Sequence, residues 1–105
     1  MADFVPVAPF AALEDNAARV VTVAGIAVLL CRSGDDCFAI ENLCTHAEQP
    51  LECGRIRNGW IACPAHGARF DLATGEPWGP PASVALRTYP VRITDGMVEV
   101  AVDLP

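Results

Sequence analysis

Lysine is missing from this chain: all seven cations are arginines, and they face thirteen carboxylates for a formal charge of −6. A surface of that sign is repelled by a phosphate backbone, which removes nucleic acid as a partner and favours a protein one. Histidine is almost missing too, with His46 and His66 the only two. The longest apolar run, residues 20–31, is too short to cross a bilayer and is broken at Ala24-Gly25. The opening Met1-Ala2-Asp3-Phe4 has neither a basic region nor an apolar signal core, so a reducing cytoplasm is expected, where the five cysteines stay out of disulfides. No segment sustains a 3.6-residue apolar period, and no glycine-rich turn follows a strand in the manner of a nicotinamide or flavin site. Repeats, low-complexity tracts and linkers are lacking as well. A length of 105 residues then accommodates one domain, 1–105, and no second functional unit.

Short strands and frequent turns remain. Phe4-Val5-Pro6-Val7 reads as a strand whose proline favours an edge, and residues 10–15 as a turn or one helical turn. Residues 19–23 and 26–31 are rich in Val, Ile and Leu on either side of Gly25, which predicts a hairpin. Residues 33–36 form the next turn and 37–41 the next strand. Asn58-Gly59 predicts a small hairpin of 55–57 with 60–62, and 68–72 reads as a strand closed by Thr74-Gly75. Residues 87–94 and 97–102 flank Asp95-Gly96, the strongest short hairpin signal in the chain. An all-β domain follows.

Cys44-Thr45-His46, then sixteen residues, then Cys63-Pro64-Ala65-His66 place two close-spaced Cys/His pairs in two neighbouring loops. Four such side chains can converge on one metal centre. Two thiolates and two imidazoles also make a closed tetrahedral zinc set, although common zinc fingers put both cysteines before both histidines instead of alternating them. Cys31, Cys37 and Cys53 fall outside the motif and read as packed free thiols.

The mixed pairs resemble the Rieske signature, in which two thiolates hold one iron of a 2Fe-2S cluster and two imidazoles hold the other. The likeness extends over nearly the whole chain to the ferredoxins of bacterial ring-hydroxylating dioxygenase systems. It is carried by residues 39–46, Ala-Ile-Glu-Asn-Leu-Cys-Thr-His, and by 63–72, Cys-Pro-Ala-His-Gly-Ala-Arg-Phe-Asp-Leu. Ala73-Thr74-Gly75-Glu76-Pro77, the proline loop Gly79-Pro80-Pro81 and Tyr89-Pro90-Val91 are similar as well. The resemblance implies a Rieske fold, with an antiparallel sandwich-like base domain and an inserted cluster-binding subdomain at approximately 43–82. It implies one 2Fe-2S cluster held by Cys44, His46, Cys63 and His66. Respiratory Rieske proteins join their ligand loops by a disulfide; the matching positions here are Gln49 and Ala65, which fits a cytoplasmic carrier.

Read this way, the chain is a monomeric one-electron carrier, not an enzyme. It passes electrons from an NAD(P)H-dependent reductase to a terminal ring-hydroxylating oxygenase in aromatic compound catabolism. Partners are expected at the histidine end, with Ala47, Glu48, Pro50 and residues 78–81 forming a rim. A small Rieske subunit of a larger reductase, such as a nitrite reductase, is the alternative, and a Cys2His2 zinc-binding interaction module the third reading. High-potential Rieske proteins carry Ser two residues after the second ligand His and Tyr four after it. Ala68 and Phe70 stand at those positions, so a potential near the low end of the Rieske range, about −150 mV, is expected.

Overall fold

The longest strand, β3 (Ile26–Ser33), lies between β2 (Ala17–Val23) and β4 (Asp36–Glu41) in the computed structural model, which describes residues 4–44, 50–64, 67–79 and 83–102. β8 (Thr88–Tyr89) completes this four-stranded sheet on the far side of β4. A second sheet has the order β1 (Phe4–Pro9), β10 (Met97–Ala101), β9 (Val91–Thr94). The third has the order β5 (Arg55–Arg57), β6 (Trp60–Ala62), β7 (Arg69–Asp71), and falls in the sequence between β4 and β8. Every pairing is antiparallel.

Successive side chains of a strand leave opposite faces, and β3 is buried on both. Val28 and Leu30 enter one core with Ala39, Val98 and Val100. Leu29 and Cys31 enter the other with Ile40, Ile56, Ile61 and Phe70. This two-sided burial is why the segment reads as a continuous apolar run and not as an alternation. The central sheet is therefore sandwiched between the other two, and each fully buried aliphatic or aromatic side chain contributes about 1.5–3 kcal/mol.

Local chemistry fixes the turns. Ala24-Gly25, Asn58-Gly59 and Asp95-Gly96 have positive φ at both central residues, the geometry of the tight hairpin turn whose twist matches its strands. β1 is an edge strand, and its ladder shifts register between Pro6 and Ala8, consistent with a proline that cannot donate. A single turn of 3-10 helix, Phe10–Ala12, follows it.

Two predicted strands differ from what is observed. Residues 87–94 are not one strand: the chain leaves β8 at Pro90 and enters β9 in another sheet. Pro90 has no N–H for either ladder, while its carbonyl accepts the Ala101 N–H at 3.1 Å, so it serves as the corner between layers. The strand expected over 68–72 shortens to Arg69–Asp71: before Arg69 the ladder keeps only the Cys63 N–H to Ala68 carbonyl bond, since the Cys63 carbonyl accepts Gly67 N–H instead, and beyond Asp71 it keeps the Leu72 N–H to Gly59 carbonyl bond.

Gly75 holds the third sheet against the segment leading to β8. Its N–H bonds to the Asp71 carbonyl and its carbonyl accepts the Leu86 N–H, both at 2.7 Å, at φ +78°. A Cβ there would overlap the Leu86 carbonyl oxygen. Gly75→Ala combines left-handed strain with a backbone clash that no side chain can relieve, and should cost about 3 kcal/mol. Thermal unfolding followed by circular dichroism should show Tm lower by more than about 10 °C.

Candidate metal centre

Cys44 lies just past β4, and Cys63 is the residue after β6. Both are buried, and both belong to the core that contains Leu29, Ile40, Leu51, Ile56, Ile61, Ala68 and Phe70. The fold thus brings the two motif cysteines into one apolar compartment from two different sheets. His46 and His66 lie outside the described residues, as do Gln49 and Ala65. Among the described residues no three His, Cys, Asp or Glu side chains converge on one point.

The backbone closes each ligand loop. Cys63 N–H donates to the Ala68 carbonyl at 2.7 Å, and the Cys63 carbonyl accepts Gly67 N–H at 3.0 Å. Both backbone groups of Cys63 are satisfied, so its position is fixed while its thiol carries no disulfide. Gly67 reaches this bond at φ +72°, a conformation that a side chain would oppose. On the other loop, Asn42 performs the closure that its place in the sequence does not announce. Its Oδ1 accepts the N–H of fully buried Leu51 at 2.9 Å, and its Nδ2 donates to Glu52 Oε1 at 3.3 Å. The end of β4, two residues before Cys44, is thereby tied to the residue that re-enters the core after the loop. Ser33 makes a similar tie, its Oγ accepting Gly59 N–H at 3.0 Å across from the central sheet to the β5–β6 turn. A polar residue at a strand end beside a loop was the only sequence signal for either.

The remaining cysteines stay out of the site. Cys31 and Cys37 belong to opposite faces of the central sheet. Burial, with Cys37 nearby, pushes the Cys31 thiol far up. Burial raises Cys37 to about 11, against the opposing effects of a backbone hydrogen bond at Phe38 and the Arg32 charge. Both remain protonated near neutrality and act as small apolar side chains. Cys53, expected to be packed, is exposed instead, because the turn after Leu51 carries it outward.

A metal centre suits what is present. Two thiols, soft donors of the kind iron–sulfur centres use, are brought into one apolar core from two different sheets. A Rieske 2Fe-2S domain profile matches residues 3–90. The chain belongs to the Rieske 2Fe-2S family.

A Rieske domain carries a 2Fe-2S cluster, and that is the cofactor here. The chain is 42% identical over 89 residues to the anthranilate 1,2-dioxygenase ferredoxin subunit of Burkholderia cepacia, covering 85% of this chain and 81% of that one. It superposes with a TM-score of 0.86 on a chain from a complex of reduced oxygenase and oxidized ferredoxin in carbazole 1,9a-dioxygenase, at 31% identity over 93% of this chain and 92% of that one. A putative NADH-dependent nitrite reductase small subunit from Mycobacterium tuberculosis gives a TM-score of 0.89 at 20% identity, covering 100% of this chain and 99% of that one, a likeness of fold alone.

Two predictions follow the ligand loops of this Rieske domain. Asn42→Ala leaves the buried Leu51 N–H without its acceptor, at a cost of about 1–3 kcal/mol. Cluster absorption should bleach faster in urea than in wild type, whereas Asn42→Asp, which keeps an acceptor oxygen, should bleach more slowly than the alanine variant. Ala68 and Phe70 are fully buried beside Cys63 and carry no donor. A hydroxyl placed there can donate to a cluster or ligand sulfur, favouring the reduced form by roughly 1 to 2 kcal/mol, or roughly 40 to 90 mV for one electron. Protein-film voltammetry should show Ala68→Ser and Phe70→Tyr each shifted positive, and a negative shift in both would refute the assignment.

Proposed function

We propose that the chain is a one-electron carrier that takes electrons from an NAD(P)H-dependent reductase and delivers them to a terminal ring-hydroxylating oxygenase in the catabolism of aromatic compounds. The observation that carries this is a count. The sequence holds two histidines, and a Rieske centre uses both. None is left for the two-histidine, one-carboxylate site that an oxygenase needs for its mononuclear iron. The relationship to a dioxygenase ferredoxin subunit over most of both chains supports the same reading.

In this proposal residues 43–82 form the cluster-binding subdomain. Cys44 and Cys63 hold the buried iron, and His46 and His66 hold the other. The cluster, when bound, supplies a site that accepts and releases a single electron. The protein does the rest: the apolar core around Cys44 and Cys63 shields the thiolates from water, and the loop closures at Asn42 and Cys63 limit rearrangement between redox states. Pro50, at the end of the first ligand loop, is exposed and available to a partner's surface. No helix among the described residues is long and apolar enough to cross a membrane. We place the carrier in the cytoplasm as a monomer of 11.1 kDa.

The alternative, a subunit held permanently in a larger reductase of the nitrite-reducing kind, has only the shared fold in its favour. Gel filtration of host extract distinguishes the two, since the carrier elutes alone.

Purified protein should contain two irons and two acid-labile sulfides per chain. His46→Ala or His66→Ala should fold without retaining a stable cluster, as read by visible absorption and iron analysis. Stoichiometric zinc without iron after iron-replete expression would overturn the assignment of all four ligands.

A further inference from the structure

The two ligand loops meet at one glycine. Past the first loop the chain turns at residues 51–54, and Gly54 N–H closes that turn on the Leu51 carbonyl at 2.7 Å. Gly54 then leads into β5, whose first residue, Arg55, pairs with Ala62, the last residue of β6. Cys63 follows Ala62 directly, so the peptide group joining them stands between two neighbours. Its N–H donates to the Ala68 carbonyl, and its carbonyl oxygen lies against Gly54.

That approach leaves no room for a side chain. A Cβ on Gly54 would lie 2.6 Å from the Ala62 carbonyl oxygen, 2.9 Å from the Leu51 carbonyl oxygen and 3.0 Å from Ile61 Cγ1. Gly54 does not adopt the positive φ of Gly67 or Gly75, so its φ alone does not call for glycine. What calls for it is the space between two carbonyls, one at the root of each ligand loop.

The contacts form a path from one loop to the other that does not pass through the metal. It begins at Asn42, two residues before Cys44, whose Oδ1 accepts Leu51 N–H at 2.9 Å. It continues through the Leu51 carbonyl to Gly54 N–H, and across the close approach of Gly54 to the Ala62 carbonyl beside Cys63. Leu51 is fully buried in the core that holds both cysteines, so the turn cannot back away without opening that core. A close-packed interior transmits such a displacement instead of absorbing it.

We propose that Gly54 is a positioning residue for the cluster: by letting the turn at 51–54 close on the Ala62–Cys63 peptide, it sets the spacing of Cys44 and Cys63 and so the strength with which both sulfurs donate to iron. The inference rests on the ligand set of the proposed function. A side chain at position 54 is a wedge between the loops, and it drives Cys63 away from Cys44. A stretched iron–sulfur bond donates less charge and favours the oxidised form less, so the potential moves positive.

The test uses the intact holoprotein. Gly54→Ala inserts the wedge. Val100→Ala removes methyl groups from the fully buried core on the far side of the central sheet, which lowers stability without touching either loop. Adding Asn42→Ala to Gly54→Ala cuts the path at its other end and lets the turn recede from Ala62. In Gly54→Ala the midpoint potential should shift positive, the EPR spectrum of the reduced cluster should change, and cluster release in urea should be about tenfold faster. Val100→Ala should show a lower Tm with the wild-type EPR spectrum and potential. The shift caused by Gly54→Ala should be smaller in the Asn42→Ala background, because the two residues act through one path. If Gly54→Ala assembles no cluster at all, the double variant should regain it. A wild-type spectrum and potential in Gly54→Ala, a negative shift, equal changes in Val100→Ala, an undiminished shift in the Asn42→Ala background, or a cluster missing from both Gly54→Ala and the double variant would each overturn the proposal. Wild-type protein lacking a 2Fe-2S cluster would instead remove the ligand set on which it rests.

Discussion

Burial of the β3–β4 hairpin on both faces is the constraint from which the rest of the structure follows. Neither outer sheet has the means to stand alone: the strands of the cysteine-bearing sheet are three residues each, and such pieces are stable only when an apolar face is covered. Leu29, Cys31 and Ile40 supply that cover on one side, and Val28, Leu30 and Ala39 supply it on the other. A shift of the hairpin along its axis would misplace both sets at once, because a one-residue slip exchanges the faces. The metal site is therefore anchored by the same packing that holds the opposite end of the molecule.

The polar contacts between layers add direction to that packing. Ser33 extends from the end of β3 to the turn of the β5–β6 hairpin, and Asn42 extends from the end of β4 to Leu51 across the mouth of the first ligand loop. Each satisfies a backbone N–H that secondary structure leaves over, and each does so between elements that hydrophobic contact alone would allow to slide. Cys44 follows the Asn42 tie two residues along the chain, and Cys63 follows the Gly59 end of the other by four. An electron carrier benefits from such a frame, since a site that rearranges little between redox states exchanges electrons with less cost.

Charge is divided as unevenly as burial. Arg19, Arg32 and Arg92 are occupied by carbonyls, a carboxylate or aromatic rings, while Arg55 and Arg57 face solvent on the third sheet. None of the cations is lysine, so each exposed position carries arginine's rigid, planar fork of donors.

The sequence by itself determined the class and the turns, and it supplied the ligand set of the proposal. Short segments rich in Val, Ile and Leu and paired turn residues such as Asn58-Gly59 act over a few neighbours, so the hairpins at 24–25, 58–59 and 95–96 are legible without a fold. The two Cys/His pairs are legible for a different reason: ligand chemistry restricts residue type and spacing so tightly that few other sites fit them. Only the tertiary structure decided the rest. Pro90 reads locally as an interruption, and only the positions of β4 and β10 show that it turns the chain from one sheet to another. Cys53 and Cys31 are the same residue in sequence, yet one is exposed and the other fully buried, because burial depends on which layer covers a position. Asn42 becomes a clasp only once Leu51 is brought beside it, and Arg55, Trp60 and Arg69 become one surface only through strand register. Local patterning specifies elements and ligands, whereas proximity between distant residues is a property of how the layers stack.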